Sequence, residues 1–379
     1  MAFGNGIDNL ASVHHLLTGK RLGLVTNHTG VDLSLRSTVD ILKKKYDLRF
    51  LAGPEHGVSG VAQAGVKYGD DLDPRTGLPV VSLFHGHDQA LETQFPEVDM
   101  IVLDLQDVGL RFYTYTVTLY YVMMICARTG TALLVLDRYN PLGLSKVEGT
   151  LLEPEFSSHI GKFPLPTRHG LTMGEYARYL NDFRSIGCEL HVCPCVGLTR
   201  QDDYFSLDVP WVAPSPNLPT PESMVCYFGT CHLEGTNLSA GRGTTKPFEL
   251  FGAPWLRATE VCNVMNDMDL PGVIFREQDF IPTFHKFKRE YCRGLQLHIT
   301  DREVFQPFRT ALLLIQHIRK THEEFEFSYR TDIDCYQMDI LLGKDDFRRE
   351  DFDPERFIRE EQAKIDGFLP NLQPYYMYE

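Results

Sequence analysis

The sequence predicts an α/β protein built on an open, mainly parallel sheet with helices on both faces. Two observations carry this. Strand-like and helix-like segments alternate through the first half of the 379 residues. The strand-like runs around Val98–Leu105 and Thr131–Leu136 are nearly continuous apolar stretches, as strands buried on both faces should be.

Arg21–Thr26 is the first expected strand, and it ends in the polar loop Asn27-His28-Thr29-Gly30. Ser37–Tyr46 has helical character, with Ser37 or Thr38 as its cap. Leu48–Ala52 and Val80–Phe84 are the next strands, followed by Val98–Leu105. Thr114–Arg128 is expected as a long helix, Thr131–Leu136 as a strand, Met173–Arg184 as a helix and Leu190–Val196 as a strand. Five prolines between Asp208 and Pro221 forbid regular structure there, so this segment joins domains or walls a site. Beyond about residue 236 the texture changes. Thr259–Met268 and Phe308–Lys320 look helical, and Gly294–Thr300 alternates like a strand. The mixed-charge run ending near Gln362 fits a solvated helix surface. The length favours two domains, divided as 1–235 and 236–379.

A hydrophobic content of 43% and a charged content of 23% suit an ordinary globular core. A net charge of −14 argues against a nucleic-acid partner, which would need a basic face. No apolar run approaches the length of a membrane span. The N-terminus lacks a basic patch followed by an apolar run, and the nine cysteines are scattered. Free thiols in a reducing, cytoplasmic compartment are therefore expected, or an exported protein if a leader was trimmed.

The chemistry gathers where strands end. Gly53-Pro54-Glu55-His56-Gly57 sets a carboxylate and an imidazole side by side on a turn just past a strand. Asp104–Tyr115 contains Asp104, Gln106, Asp107, Arg111, Tyr113 and Tyr115. A charge at Asp104 inside an apolar run is costly unless paired or used. Asp137-Arg138-Tyr139-Asn140-Pro141 follows the next buried strand. In a parallel sheet these ends share one edge, so Asn27, Glu55, Asp104 and Asp137 should line one crevice. His169 precedes a helix as a base or a ligand contact. Glu234–Thr245 combines a carboxylate, hydroxyls, glycines and Arg242.

There is no phosphate-binding G-x-x-x-x-G-K-[ST] loop and no G-x-G-x-x-G after the first strand, so no nucleotide cofactor is expected. Serine-hydrolase and zinc-protease motifs are missing as well. His56, Asp104, Asp107 and His169 follow no metal-ligand spacing, so no metal is expected.

The strings GLVTNHTG (23–30), GPEHG (53–57), DLQDVGLRFYTY (104–115), VLDRYNPLG (135–143), RHGLTMGE (168–175), WVAPSPNLPT (211–220) and EGTNLSAGRGTTKPFELFGAPW (234–255) together resemble the exo-acting β-N-acetylmuramidase family of bacterial cell-wall recycling. CRGLQLHITDR (292–302) extends the likeness more weakly. The resemblance implies a Rossmann-like catalytic domain, a smaller C-terminal α/β domain closing a cleft, and release of N-acetylmuramic acid from the non-reducing end of peptidoglycan fragments. Two positions depart from the family pattern. Ala240 stands where the family commonly has Glu, and Tyr139 where it has Pro.

Glycoside cleavage needs a carboxyl acid near the leaving oxygen. Glu55 is the expected acid, with His56 orienting it. Asp104, Asp107 or Glu234 is the second carboxylate. It either attacks directly or orients the acetamido group of the sugar, with a carboxyl separation of about 5 Å marking attack and about 6.5–9.5 Å an inverting water. Arg111, Arg138 or Arg242 should meet the lactyl carboxylate of muramic acid. Trp211, Tyr113 and Tyr115 are the expected sugar platform, and Asn27, His28, Gln106, Asn140, His169 and Asn217 complete the substrate contacts. Two rival readings share these residues: a metal-dependent hydrolase or esterase, marked by chelator sensitivity, and a sugar-binding protein, marked by binding without turnover.

Overall fold

The computed structural model describes residues 2–61, 72–83 and 97–379. Phe84, the expected end of the third strand, lies outside them. The chain divides into two compact units. The first is Met1–Val147, His169–Pro216 and Phe368–Glu379; the second is Glu148–Arg168 and Asn217–Gly367.

The first unit is built on strands β1 (Arg21–Thr26), β2 (Asp47–Gly53), β3 (Val80–Ser82), β4 (Met100–Asp104), β5 (Ala132–Leu136) and β8 (Leu190–Cys193). They form one sheet in the order β3-β2-β1-β4-β5-β8, with every pair parallel. The order reverses between β1 and β4, and open α/β sheets bind ligands beyond the strand ends at such a point.

Both faces are buried, which is why the strand runs lack polar alternation. Leu22, Leu24, Leu51, Met100, Val102, Leu134 and Leu136 share one core with Leu10, Leu17, Val39 and Leu42. Residues of opposite parity, including Val25, Phe50, Ile101, Leu103, Leu133 and Val135, are buried as well. Gly23 lies under the Phe50 ring, and a Cβ there would come within 2.4 Å of it.

Helices connect the strands. Thr38–Lys45 follows β1 and is capped by Ser37, whose Oγ accepts the Val39 N–H at 3.2 Å. Tyr115–Thr129 joins β4 to β5 and ends at Gly130 in the left-handed conformation. Met173–Phe183 begins with a Thr172/Glu175 capping box.

The second unit carries a three-stranded antiparallel sheet of β9 (Leu250–Ala253), β10 (Val273–Glu277) and β11 (Arg293–Ile299), in the order β10-β11-β9. Its helices include Pro221–Thr230, Ala258–Asp267 and Pro307–Thr321, and a hairpin of β6 (Glu148–Leu151) and β7 (Pro166–Arg168) belongs to it. The proline-rich segment is irregular through Pro219, but Pro221 opens a helix capped by Thr220.

The units are discontinuous in sequence, whereas the sequence reading sets a single boundary after residue 235. Side-chain bonds explain both excursions. The hairpin at 148–168 is tied to the second unit through Thr150 Oγ1, which donates to the Leu342 carbonyl, and through Glu361, whose carboxylate pairs with the buried Lys344 at 2.7 Å and accepts the Leu151 N–H at 3.3 Å. The C-terminal tail returns to the first unit. Tyr378 Oη donates to Asp137 at 2.6 Å and accepts the Cys195 N–H at 3.0 Å, and the Met377 N–H donates to Glu175 at 2.8 Å. No helix among the described residues is long and apolar enough to cross a membrane.

Candidate active site

Loops following β1, β2, β4 and β5 lie at the carboxyl edge of the first unit's sheet, as the crevice argument requires. After β2, His56 and Gly57 both take positive φ, at 75°. A non-glycine residue in that region costs on the order of 1 kcal/mol or more, so the turn is held against a local preference. It leaves Glu55 half-buried and His56 buried. Thr114 Oγ1, at the N-cap of the helix Tyr115–Thr129, donates to Glu55 Oε2 at 2.8 Å.

After β1, Asn27 is a scaffold residue. Its amide donates to Tyr115 Oη at 2.6 Å, and its oxygen accepts from the Thr29 N–H and hydroxyl. Burial pushes the His28 imidazole below its usual range, and nearby His56 adds to the shift. The neutral ring donates from Nε2 to the Ala213 carbonyl at 2.6 Å. Tyr113 and Tyr115 both donate their hydroxyls to the next carbonyl, Pro214, at 2.8 and 3.2 Å. Three side chains thus fasten the proline-rich segment against this edge as a wall. Trp211, on the same segment, is half-buried and meets Tyr204 edge-on at 5.1 Å.

The two aspartates after β4 have different fates. Asp104 is fully buried. Its Oδ1 accepts from Arg138 Nε at 2.5 Å, and its Oδ2 accepts from Arg138 Nη2 at 3.0 Å and Thr38 Oγ1 at 2.5 Å. Arg138 spends its remaining contact on the Val31 carbonyl at 2.7 Å. Both were candidates for the sugar, and each is consumed by the other. Asp107 is the available one. Its Oδ2 accepts the Gly109 N–H at 2.6 Å, while its buried Oδ1 has no hydrogen-bond partner among the described residues. Gly109 has φ 77°, and a Cβ there would strike the Asn140 side chain at 2.2 Å.

His169 completes this cluster. Its Nδ1 accepts the Leu171 N–H at 3.2 Å, so the neutral ring carries its proton on Nε2. That nitrogen faces Asp107 Oδ2 at 3.6 Å. The ring stacks on Tyr176, whose phenol is pushed up by burial and also feels Asp107 and the buried Arg111. Gln106 and Asn140 serve the backbone. Gln106 donates to the carbonyls of Asp107 and Tyr139, both at 2.9 Å, and Asn140 donates to Leu171 at 3.1 Å. Asp137 accepts from Tyr378, Thr172, Gly174 and the Arg138 N–H, and burial pushes it up to about 6.

The N-terminal family model of the exo-β-N-acetylmuramidase NamZ matches residues 22–222, and the C-terminal model matches 225–378. The chain belongs to the NamZ family of exo-β-N-acetylmuramidases. It is 45% identical over 326 residues to the peptidoglycan β-N-acetylmuramidase NamZ of Bacillus subtilis (strain 168), covering 85% of this chain and 79% of the relative. Crystal structures of two DUF1343-family proteins of Bacteroides fragilis NCTC 9343 share the fold. One has a TM-score of 0.86 at 33% identity over the full length of both chains. The other has a TM-score of 0.79 at 27% identity, over all of this chain and 99% of that one. NamZ membership makes the chain a glycosidase, and the readings as a metal-dependent esterase or a binding protein give way.

The second unit holds the remaining candidates. In the second unit Glu234 and Arg242 form an ion pair at 2.5 Å, both largely buried, and the Arg242 guanidinium lies 5.5 Å from the Phe248 ring centre. Asn217 is buried at the start of this unit. Ala240, the departure from the NamZ pattern, is buried, and its carbonyl accepts the Phe248 N–H at 2.8 Å. Tyr139, the other departure, packs edge-on against Phe3 at 5.7 Å. Sequence reasoning missed Thr114 and the carbonyls of Ala213 and Pro214. None carries a signal in a single sequence, because each acts through a partner far along the chain.

Proposed function

We propose that this chain is an exo-acting β-N-acetylmuramidase that removes N-acetylmuramic acid from the non-reducing end of peptidoglycan fragments, with Glu55 as its acid. The observation that carries the assignment to Glu55 is its position. Its carboxyl stands half-buried at the carboxyl edge of the sheet, held by Thr114 beside the point where strand order reverses. In this reading Glu55 gives its proton to the glycosidic oxygen as the bond to C1 breaks.

Asp107 is the second carboxylate. An unmet buried acceptor costs free energy until a donor reaches it, and an acetamido N–H is such a donor. That favours orientation of the acetamido group over direct attack. The acetamido oxygen then closes on C1, water reopens the ring, and Glu55 takes back a proton from that water. Arg138 is committed to Asp104, and we assign the lactyl carboxylate to Arg111 or to Arg242, the latter within its ion pair with Glu234. The nine free cysteines, eight of them buried, support a reducing compartment.

Turnover of a chromogenic β-N-acetylmuramide, compared with the matching glucosaminide, tests the reading. Release is expected from the muramide alone. No release from it, or equal release from both, overturns the assigned specificity.

A further inference from the structure

Lys286 lies outside everything assigned so far. It sits in the second unit on the segment His285–Arg289, where His285, Phe287 and Arg289 all have positive φ, at 68°, 56° and 67°. Three left-handed non-glycine residues in five make a contorted loop, and its product is the direction of one side chain. The Lys286 ammonium enters the turn that follows Thr230. There it meets the carbonyl oxygens of Leu233 at 3.3 Å, Glu234 at 3.2 Å, Leu238 at 3.2 Å and Thr236 at closest approach.

An ammonium has three protons, and four oxygens surround this one. The arrangement is a coordination shell made of main-chain carbonyls, of the kind that replaces a monovalent cation's water. Its four oxygens come from residues 233–238, the stretch that presents the Glu234 side chain. The charged and titratable groups around Lys286 are Glu234 and Arg242, with the Cys231 thiol and the His285 imidazole. Glu234 attracts the ammonium while Arg242 opposes it, and Arg242 is itself paired with Glu234 at 2.5 Å.

We propose that Lys286 is a positioning residue: its ammonium acts as an internal monovalent cation whose carbonyl cage sets the 233–238 turn and so aims Glu234 and Arg242. The effect on catalysis rests on the reading of Arg242 as a ligand for the lactyl carboxylate, with Glu234 as its ion-pair partner; the cage itself does not. An oxygen shell built for an ammonium accepts free ammonium once the side chain is gone. Ordinary packing lysines leave nothing of this kind behind.

The test uses the full chain with Lys286→Ala. The expected result is a fall of about 10²-fold in kcat/KM on the chromogenic muramide, the cost of a displaced binding group. Ammonium chloride is expected to restore much of that loss and to raise the variant's melting temperature. Choline chloride at equal ionic strength does neither, and wild type responds to neither salt. Wild-type activity in Lys286→Ala, or a folded variant whose activity and melting both ignore ammonium, overturns the proposal. Should Lys286→Ala fail to fold, Lys286→Met, which keeps the stem, is melted with and without ammonium; no ammonium-specific shift then overturns it. Glu234→Gln separates the two readings. Full activity in that variant removes the Glu234–Arg242 pair from a role in catalysis, while ammonium-dependent melting of Lys286→Ala still reports on the cage.

Discussion

Thr114 donates its hydroxyl to Glu55 across 59 positions of sequence, at 2.8 Å. The bond fixes one carboxyl oxygen of the proposed acid against the start of a helix. Glu55→Gln keeps the size and removes the transferable proton. Its kcat should fall by roughly two to four orders of magnitude with an unchanged melting curve. Thr114→Val leaves the acid in place and removes only its tether, so a loss of about tenfold or less is expected. Near-normal turnover in Glu55→Gln moves the acid elsewhere.

Asp107→Asn should be slow but folded. Its Oδ2 contact to Gly109 is to a backbone N–H and survives if the amide oxygen takes that place. The acceptor Oδ1 becomes a donor. If Asp107 orients the acetamido group, kcat should fall by about 10²-fold or more, as for loss of one preorganised polar contact in an active site. Substrates whose acetamido group is replaced by a hydroxyl lack the internal nucleophile and should not be turned over by wild type or variant. Wild-type turnover of such a substrate that is lost in Asp107→Asn argues for direct attack instead.

Asp104 and Arg138 should behave in the opposite sense. Arg138→Met strands a buried carboxylate whose remaining side-chain donor among the described residues is Thr38. A loss of about 3–5 kcal/mol in urea denaturation is expected, against little change in kcat for the fraction that remains folded. A stable Arg138→Met enzyme with a raised KM for the muramide would return Arg138 to the substrate.

Asp137 should mark the stability profile. Its folded value is about 6 against an ordinary 3.8, because burial outweighs the donors around it. Between those values the folded chain keeps a proton that the unfolded chain has released. Unfolding then releases a proton, so this group's contribution to stability falls as pH rises from about 4 to about 6. Asp137→Asn cannot titrate and should flatten that part of the melting profile. An identical slope in wild type and variant shows that another group is responsible.

The strands of the first unit and the clustering of their end loops are legible in the sequence because a doubly buried strand is an apolar run and its turn is polar. The split between Asp104 and Asp107 is not. Both follow one strand, and what separates them is Arg138, 34 positions away on the next strand's loop. The β6–β7 hairpin escapes because its strands, EGTL and PTR, are short and carry no alternation. Glu55 and Glu234 differ in the same hidden way: the first meets a hydroxyl, the second an arginine.

Tyr378 supplies a hydroxyl to a carboxylate 241 positions earlier. During vectorial synthesis the sheet around Asp137 emerges long before this partner exists. The opening segment therefore waits, with a buried acid short of one donor, until the whole second unit has left the ribosome. Completion of the Asp137 surroundings is in this way coupled to synthesis of the second unit, whose residues all precede Tyr378.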